Sequence, residues 1–297
     1  MSFTVDQALV NTYHANVQLK FQQSTSRLKP YVRIESQNAE FDFYDRIGPT
    51  DAVEMTGRHQ DTPLVGSDHD RRRVSHRDFN WADLIDKKDK LRMLQDPTSA
   101  YVMNAVMSLN RKMDDVIIQA AYGTSYAGKD GSTSVTFPSA QTIGSTYVER
   151  GTAAASNLTI GKLRRARYLL DKAEAANEGE ADLAIAVDPS QIQGLLATTE
   201  VTNSDYAAIK ALVQGQIDTF MGFKFIRSNR LPVASNIRDV MCWEKQGILL
   251  AIADEVITDV GPRRDKNLSV QVYAEGHFGA TRMWEEKVIK IQCDETA

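Results

Sequence analysis

The chain has 297 residues, 42% of them hydrophobic and 25% charged, with a formal net charge of −4. That apolar mass supports a sizeable core in one large domain or two connected ones, and the lack of excess positive charge excludes a dedicated nucleic-acid binder. The two cysteines, Cys242 and Cys293, form no motif, which argues against a disulfide framework or a zinc site and for a reducing compartment. The start of the chain lacks the basic residues and apolar run of a signal peptide. No window approaches the roughly 18 uncharged apolar residues of a membrane span. The expectation is a protein kept in the cytosol, with no membrane partner and no cofactor.

Val5, Leu9, Tyr13, Val17 and Phe21 recur every fourth residue and predict an amphipathic helix over 5–24. Its single apolar stripe needs a partner to bury it. Alternation at Tyr31/Arg33 and Phe41/Phe43 predicts strands within 27–45. Residues 48–81 mix Gly, Pro, Asp, Arg and His; the runs Val53/Met55 and Val74/His76 suggest a hairpin. This stretch holds too few large apolar residues to bury itself, so it is either disordered or lies on another chain. Residues 83–95 read as a short charged helix or turn.

The strongest signal follows. Asp96 as N-cap and Pro97 at the first helical position open a helix over 97–122. Val102, Ala105, Val106, Leu109, Met113, Val116, Ile117 and Ala120 form its stripe, and Gly123 stops it. A strand is predicted at 133–138, a helix at 160–177 closed by Gly179, and a buried strand at 181–189. Asp188-Pro189 opens a short helix, and another is expected at 204–214. Strands are expected at 220–233, at 240–260 around Gly247, and at 268–293 around Gly276 and Gly279. The class is α+β, with antiparallel strands near the end.

Residues 123–132, GTSYAGKDGS, come one residue short of the phosphate-binding pattern G-x-x-x-x-G-K-[ST], because Asp130 replaces the hydroxyl residue. The pattern needs a strand before it and a helix after it. Here a long helix precedes and β-forming residues follow, so Gly128 to Gly131 read as a hairpin turn. His59, His69 and His76 lie among aspartates, but at spacings that fit no helix face or tight ligand pair. Arg71, Arg72 and Arg73 beside Asp68 and Asp70 read as a salt-bridging surface. Glu285-Glu286 and Asp254-Glu255 read as solvated edges, since strand neighbours point to opposite faces. No hydrolase, metalloprotease or dinucleotide motif is present, and an enzyme has no foothold.

The order of parts resembles the major capsid protein of tailed bacteriophages, with the fold named after phage Hong Kong 97. FNWADLIDKKDKLRMLQDPTSAYVMNAVMSLNRKMDDVIIQAAYGT (79–124), ADLAIAVDPSQIQGLL (181–196), GFKFIRSNRLP (222–232) and the closing HFGATRMWEEKVIKI carry the likeness. The resemblance implies an N-terminal arm (1–40) and an extended E-loop (41–82). It implies a P-domain (83–180 and 262–297) with spine helix 97–122, and an A-domain (181–261). It further implies self-assembly into hexamers and pentamers of an icosahedral virion around double-stranded DNA, with assembly in the host cytoplasm. Some members carry a long N-terminal scaffolding segment; the short arm here predicts a separate scaffolding protein, beside a portal protein and a possible cement protein. Candidates for contact between copies are Val5, Leu9, Tyr13, Arg58, Asp68, Asp70, Arg71, Arg72 and Arg73. An encapsulin-type compartment shell is the alternative within the same fold, and a nucleotide-binding enzyme the alternative outside it.

Overall fold

The computed structural model describes residues 22–58, 60–85, 98–149, 151–175, 182–197 and 219–296. In chain order its strands and α-helices are β1 (Arg33–Ser36), β2 (Phe41–Ile47), β3 (His69–Ser75), β4 (Arg77–Ile85), α1 (Thr98–Tyr122), β5 (Ser125–Ala127), β6 (Thr133–Val135), β7 (Thr142–Ile143), α2 (Ile160–Lys172), β8 (Leu183–Val187), α3 (Pro189–Ala197), β9 (Thr219–Phe220), β10 (Phe223–Arg227), β11 (Val233–Ala234), β12 (Ile237–Glu244), β13 (Ile248–Arg263), β14 (Ser269–Arg282) and β15 (Val288–Asp294). Two compact units divide the chain. One takes residues up to 26, 77–113 and 254–277; the other takes 27–76, 114–253 and 278–297. The helix α1 and the strands β13 and β14 contribute residues to both.

In the first unit, Ala105 and Leu109 of α1 pack on Ala274 of β14, with Phe79 and Trp81 of β4 and Val256 of β13 around them. Residues 22–24 lie along the same stretch of helix. Arg111 Nη1 donates to Gln22 Oε1 at 2.7 Å, Gln22 Nε2 donates to Asn104 Oδ1 at 3.0 Å, and Asn110 donates to the Ser24 carbonyl at 3.0 Å.

The second unit is built on a sheet of order β7-β15-β12-β8-β10-β9, with β11 paired to β12. Every residue of β8, LAIAV, is buried, as befits a central strand covered on both faces. It runs parallel to β10 and antiparallel to β12, and β12 runs antiparallel to β15. Segments expected in different domains, 183–187 and 288–294, therefore share one sheet. A second sheet has the order β2-β3-β5-β6.

Local chemistry sets the ends of the elements. At α3 the Asp188 carboxylate accepts from the Ser190 amide while Gln191 Oε1 accepts from the Asp188 amide at 2.9 Å, a reciprocal cap that satisfies otherwise free helix donors. The helix α2 starts on Thr159, whose side chain accepts from Lys162 N. It ends at Lys172, before the expected 177: Ala175 N bonds Leu170 O and Glu174 N bonds Asp171 O, with Glu174 at φ 51°. That left-handed closure uses a glutamate in place of glycine, so Gly179 was the wrong stop signal. At Gly123 a side chain would bring Cβ to 2.6 Å from Gln119 O, so the glycine that follows α1 is required by sterics.

Other expectations are corrected. Val53 and Met55 lie outside any strand; the hairpin pairs 41–47 with 69–75 instead. Residues 83–85 finish β4 rather than starting a helix, and Gly276 and Gly279 sit inside one continuous strand. The strand predicted at 133–138 stops at Val135. Residues 22–24 are not helical; the rest of the predicted arm helix, the Asp96-Pro97 cap, the remainder of 83–95 and the 204–214 helix lie outside the described residues.

Lys162 is fully buried in α2. Its ammonium, with three protons, lies within hydrogen-bond distance of four backbone carbonyls, those of Ser156 at 2.6 Å, Ser145 at 3.0 Å, Gln292 at 3.0 Å and Asn157 at 3.1 Å. Burial lowers its pKa, with Cys293 and Asp294 opposing. Replacing Lys162 by Met removes this donor from four carbonyls, of which those of Ser145 and Ser156 keep backbone donors in the Ser156 and Asp294 amides. We expect a loss of about 3–5 kcal/mol, read as a lower urea midpoint at unchanged slope.

Both cysteines are buried free thiols. Burial pushes Cys242 well above its ordinary value and Cys293 up to about 12. At pH near 8 neither thiol should react with an aromatic disulfide reagent until denaturant is added. Since the folded pKa is raised, the stability that neutral Cys293 contributes is complete below 9.0 and is lost as pH rises through about 12.

Candidate assembly surfaces

The β2–β3 hairpin is a strict two-residue alternation. Asp42, Tyr44 and Arg46 oppose Val74, Arg72 and Asp70 in register, while Phe43 opposes Arg73 and Asp45 opposes Arg71. Strand geometry sends these two sets to opposite faces. The sequence run of three arginines is thereby split.

On the inner face, Arg72 is fully buried and its Nη2 donates to Glu285 Oε1 at 2.6 Å. Arg46 donates to Glu285 Oε2 at 3.2 Å, to Asp70 Oδ2 at 2.6 Å and to the Met283 carbonyl at 2.7 Å, and lies over the Trp284 ring at 5.1 Å. Val74 joins Leu249, Ala251 and Met283 in an apolar cluster, flanked by Tyr44 and Trp284. Burial raises the Asp70 pKa, but the hydrogen bond from Arg46, the Arg71 amide and the charges of Arg46 and Arg72 outweigh it, and the carboxyl sits below its ordinary range.

On the outer face the side chains remain partly exposed. Arg73 lies 5.1 Å from the Phe41 ring centroid and 4.9 Å from that of Tyr126; Arg71 lies over Phe43 at 5.7 Å and pairs with Asp45 at 3.0 Å. Such stacked cations and rings form a semi-polar surface able to pack on protein.

Gly48 N bonds Asp68 O, and from there residues 49–67 leave the sheet. Among the described residues they contain no strand or helix, and they expose Leu64 (97%), Met55 (71%) and Val53 (55%). A loop this long inside a folded chain is uncommon, and it leaves these apolar side chains in water.

GTSYAGKDGS forms the adjoining β5–β6 hairpin. Gly131 N bonds Gly128 O, and both glycines take positive φ, 86° at Gly128 and 62° at Gly131. A side chain at Gly131 would overlap Arg73 Cδ at 2.6 Å. A strand follows Lys129, so the helix N-terminus that phosphate binding needs is replaced by a turn.

The sequence-derived contact residues therefore separate. Arg58 and Asp68 are exposed, Arg71 and Arg73 line the outer face, and Asp70 binds Arg46. Arg72 is committed inside the chain, and Val5, Leu9 and Tyr13 lie outside the described residues. Glu285, read as a solvated edge, is instead drawn into the arginine cluster. The available signal was parity: Arg72 shares its face with Val74, two residues on. His59 lies outside the described residues, and among those described no group of three or more His, Cys, Asp or Glu is placed to hold a metal ion. Asp114, inside the apolar stripe of α1, was also missed. It is buried and accepts from the amides of Arg27 at 3.1 Å and Leu28 at 3.2 Å.

The family model for phage capsid proteins matches residues 5–295, and the chain belongs to that family. Its fold is the α+β Hong Kong 97-type capsid fold. The capsid of Ralstonia phage GP4 superposes with a TM-score of 0.76 at 9% identity, covering 96% of this chain and 95% of that one. The acid-stable capsid of Helicobacter pylori bacteriophage KHP30 gives 0.71 at 11% identity over 99% of both chains. The capsid of cyanophage P-SCSP1u gives 0.70 at 16% identity over 99% and 95%. Among curated proteins no sequence match is found.

Replacing Glu285 by Gln leaves buried Arg72 without its carboxylate, and we expect a loss of about 3–5 kcal/mol in chemical unfolding. The depressed Asp70 pKa adds a pH dependence. Its contribution is present above the ordinary 3.8 and is lost as pH falls through the lower folded value, so Asp70→Asn should flatten the acid limb of the stability profile.

Proposed function

We propose that this capsid protein assembles as hexamers and pentamers into a closed icosahedral head around double-stranded DNA, with residues 49–67, the outer part of the E-loop 41–82, lying on a neighbouring copy. The observation that carries this reading is the hairpin with a fixed base and an exposed apolar end. Leu64 and Met55 cannot be buried by a loop without structure of its own, while Arg46, Arg72 and Val74 hold its root rigid. A rigid root aims a sticky end, which is what an interlocking contact between copies requires. Heterologous contacts of this kind close into shells when each step curves.

In the same reading α1 is the spine helix, residues 1–40 the arm, and the sheet centred on β8 the body of the A-domain. The role is structural and non-enzymatic. Partners are further copies of the chain, with a separate scaffolding protein, a portal protein and possible cement proteins, and DNA held without sequence specificity. Assembly takes place in the host cytoplasm and the product resides in the virion. The test is to replace 49–67 with a two-residue turn joining Gly48 to Asp68. We expect folded, soluble protein with unchanged urea midpoint and no closed particles by electron microscopy. Normal particles from this variant would overturn the E-loop assignment.

A further inference from the structure

On the inner face of the β2-β3-β5-β6 sheet, two guanidiniums share one carboxylate. Arg72 and Arg282 are both fully buried. Glu285 Oε1 accepts from Arg72 at 2.6 Å and stands 3.7 Å from Arg282 Nε, beyond hydrogen-bond length. The rest of Arg282 is spent on backbone: Nη1 donates to Ala121 O and Gly123 O at 2.9 Å, and Nη2 to Val135 O at 3.2 Å. This leaves Arg72 Nε and Nη1 and Arg282 Nε buried without a hydrogen-bond partner.

A fourth orphan joins them. Ser125 is 2% exposed and its hydroxyl has no partner. Ser125 pairs with Val135, whose carbonyl Arg282 holds, and Ala127 on the same strand face pairs with Arg72. Tyr126 turns to the opposite face, against Arg73. Ser125, Arg72 and Arg282 thus converge on one buried spot.

Buried orphan donors are costly, and an uncompensated buried charge more so. Of the charges buried at this spot, two guanidiniums, Arg72 and Arg282, face one carboxylate, Glu285, an excess of one positive charge; Arg46, Asp70 and Asp42 lie further out and are part-exposed. Burial first, and then the nearness of Arg72, hold the Arg282 pKa down against the pull of Glu285. A water molecule would satisfy donors and leave the charge. A carboxylate from a second copy would balance the charge but cannot reach side chains that are 1% and 0% exposed. A small monovalent anion does both.

We propose that Arg72, Arg282 and Ser125 bind one buried halide-class anion, chloride in the cell, at the root of the β2–β3 hairpin. Its donors are the two Arg72 nitrogens, Arg282 Nε and the Ser125 hydroxyl. The full chain is unfolded in urea at fixed ionic strength while gluconate, too large to enter, is replaced by chloride from about 1 to about 100 mM. We expect the apparent unfolding constant to fall by up to about tenfold per tenfold rise in chloride, with bromide substituting. Ser125→Asp places a carboxylate among the same donors and should abolish that dependence. Equal stability of the wild type in gluconate and chloride would overturn the proposal, as would full chloride dependence retained in Ser125→Asp. A bromide peak beside Arg72 in anomalous diffraction would support it; a water alone there would overturn it.

Discussion

The fold depends on how a few buried cations are satisfied, and first on Glu285. Its two oxygens receive Arg72 at 2.6 Å and Arg46 at 3.2 Å, so the β2–β3 hairpin is tied to the turn between β14 and β15. Three residues earlier, Arg282 bonds the carbonyls of Ala121 and Gly123, fixing the end of the long helix, and that of Val135, fixing the next hairpin. The helix end, two hairpins and the last strands meet through a stretch of four residues, 282–285. Ion pairs on a surface are worth little, but pairs this buried make partner loss expensive. The geometry at this junction therefore sets the direction in which the hairpin leaves the subunit.

Rigidity at the root and freedom at the end are two halves of one device. Val74 and Arg72 share the inner face, so the hairpin cannot slip by one residue without driving a charge and a methyl cluster to solvent. Beyond Gly48 and Asp68 that constraint ends, and apolar side chains face water. An isolated subunit carries this exposed surface as a cost. The contacts that hold the root and the apolar side chains left exposed thus belong to separate segments of the chain.

Much of this was legible in the sequence where one period dominates. The 3.6-residue stripe gave α1 and, with Gly123, its last residue, and Asp188-Pro189 gave α3 because its cap is local. The Gly128–Gly131 turn was legible for the same reason. Long-range pairing was not. Val53/Met55 alternate as cleanly as Phe41/Phe43, yet only the latter find a partner strand, since register is decided by Arg72 and Val74 finding Glu285 and Met283 more than two hundred residues away. Asp114 was illegible because an acid in an apolar stripe acquires its meaning only when the amides of Arg27 and Leu28 arrive. Three adjacent arginines looked like a surface because composition was read before parity.

Backbone acceptors also explain how a fold can persist while sequences drift apart. Lys162 lies within hydrogen-bond distance of four carbonyls and Arg282 bonds three, and each contact makes no demand on the side chain at the accepting residue. Ser145, Ser156, Asn157 and Gln292 can each change identity without removing an acceptor from the ammonium. What must be kept is the path of the backbone through those points. A core stapled in this way fixes backbone positions tightly and side-chain identities loosely, the combination expected where whole chains superpose at low identity. The exception is Glu285, a side-chain acceptor shared by buried Arg72 and part-buried Arg46, whose carboxylate the structure requires.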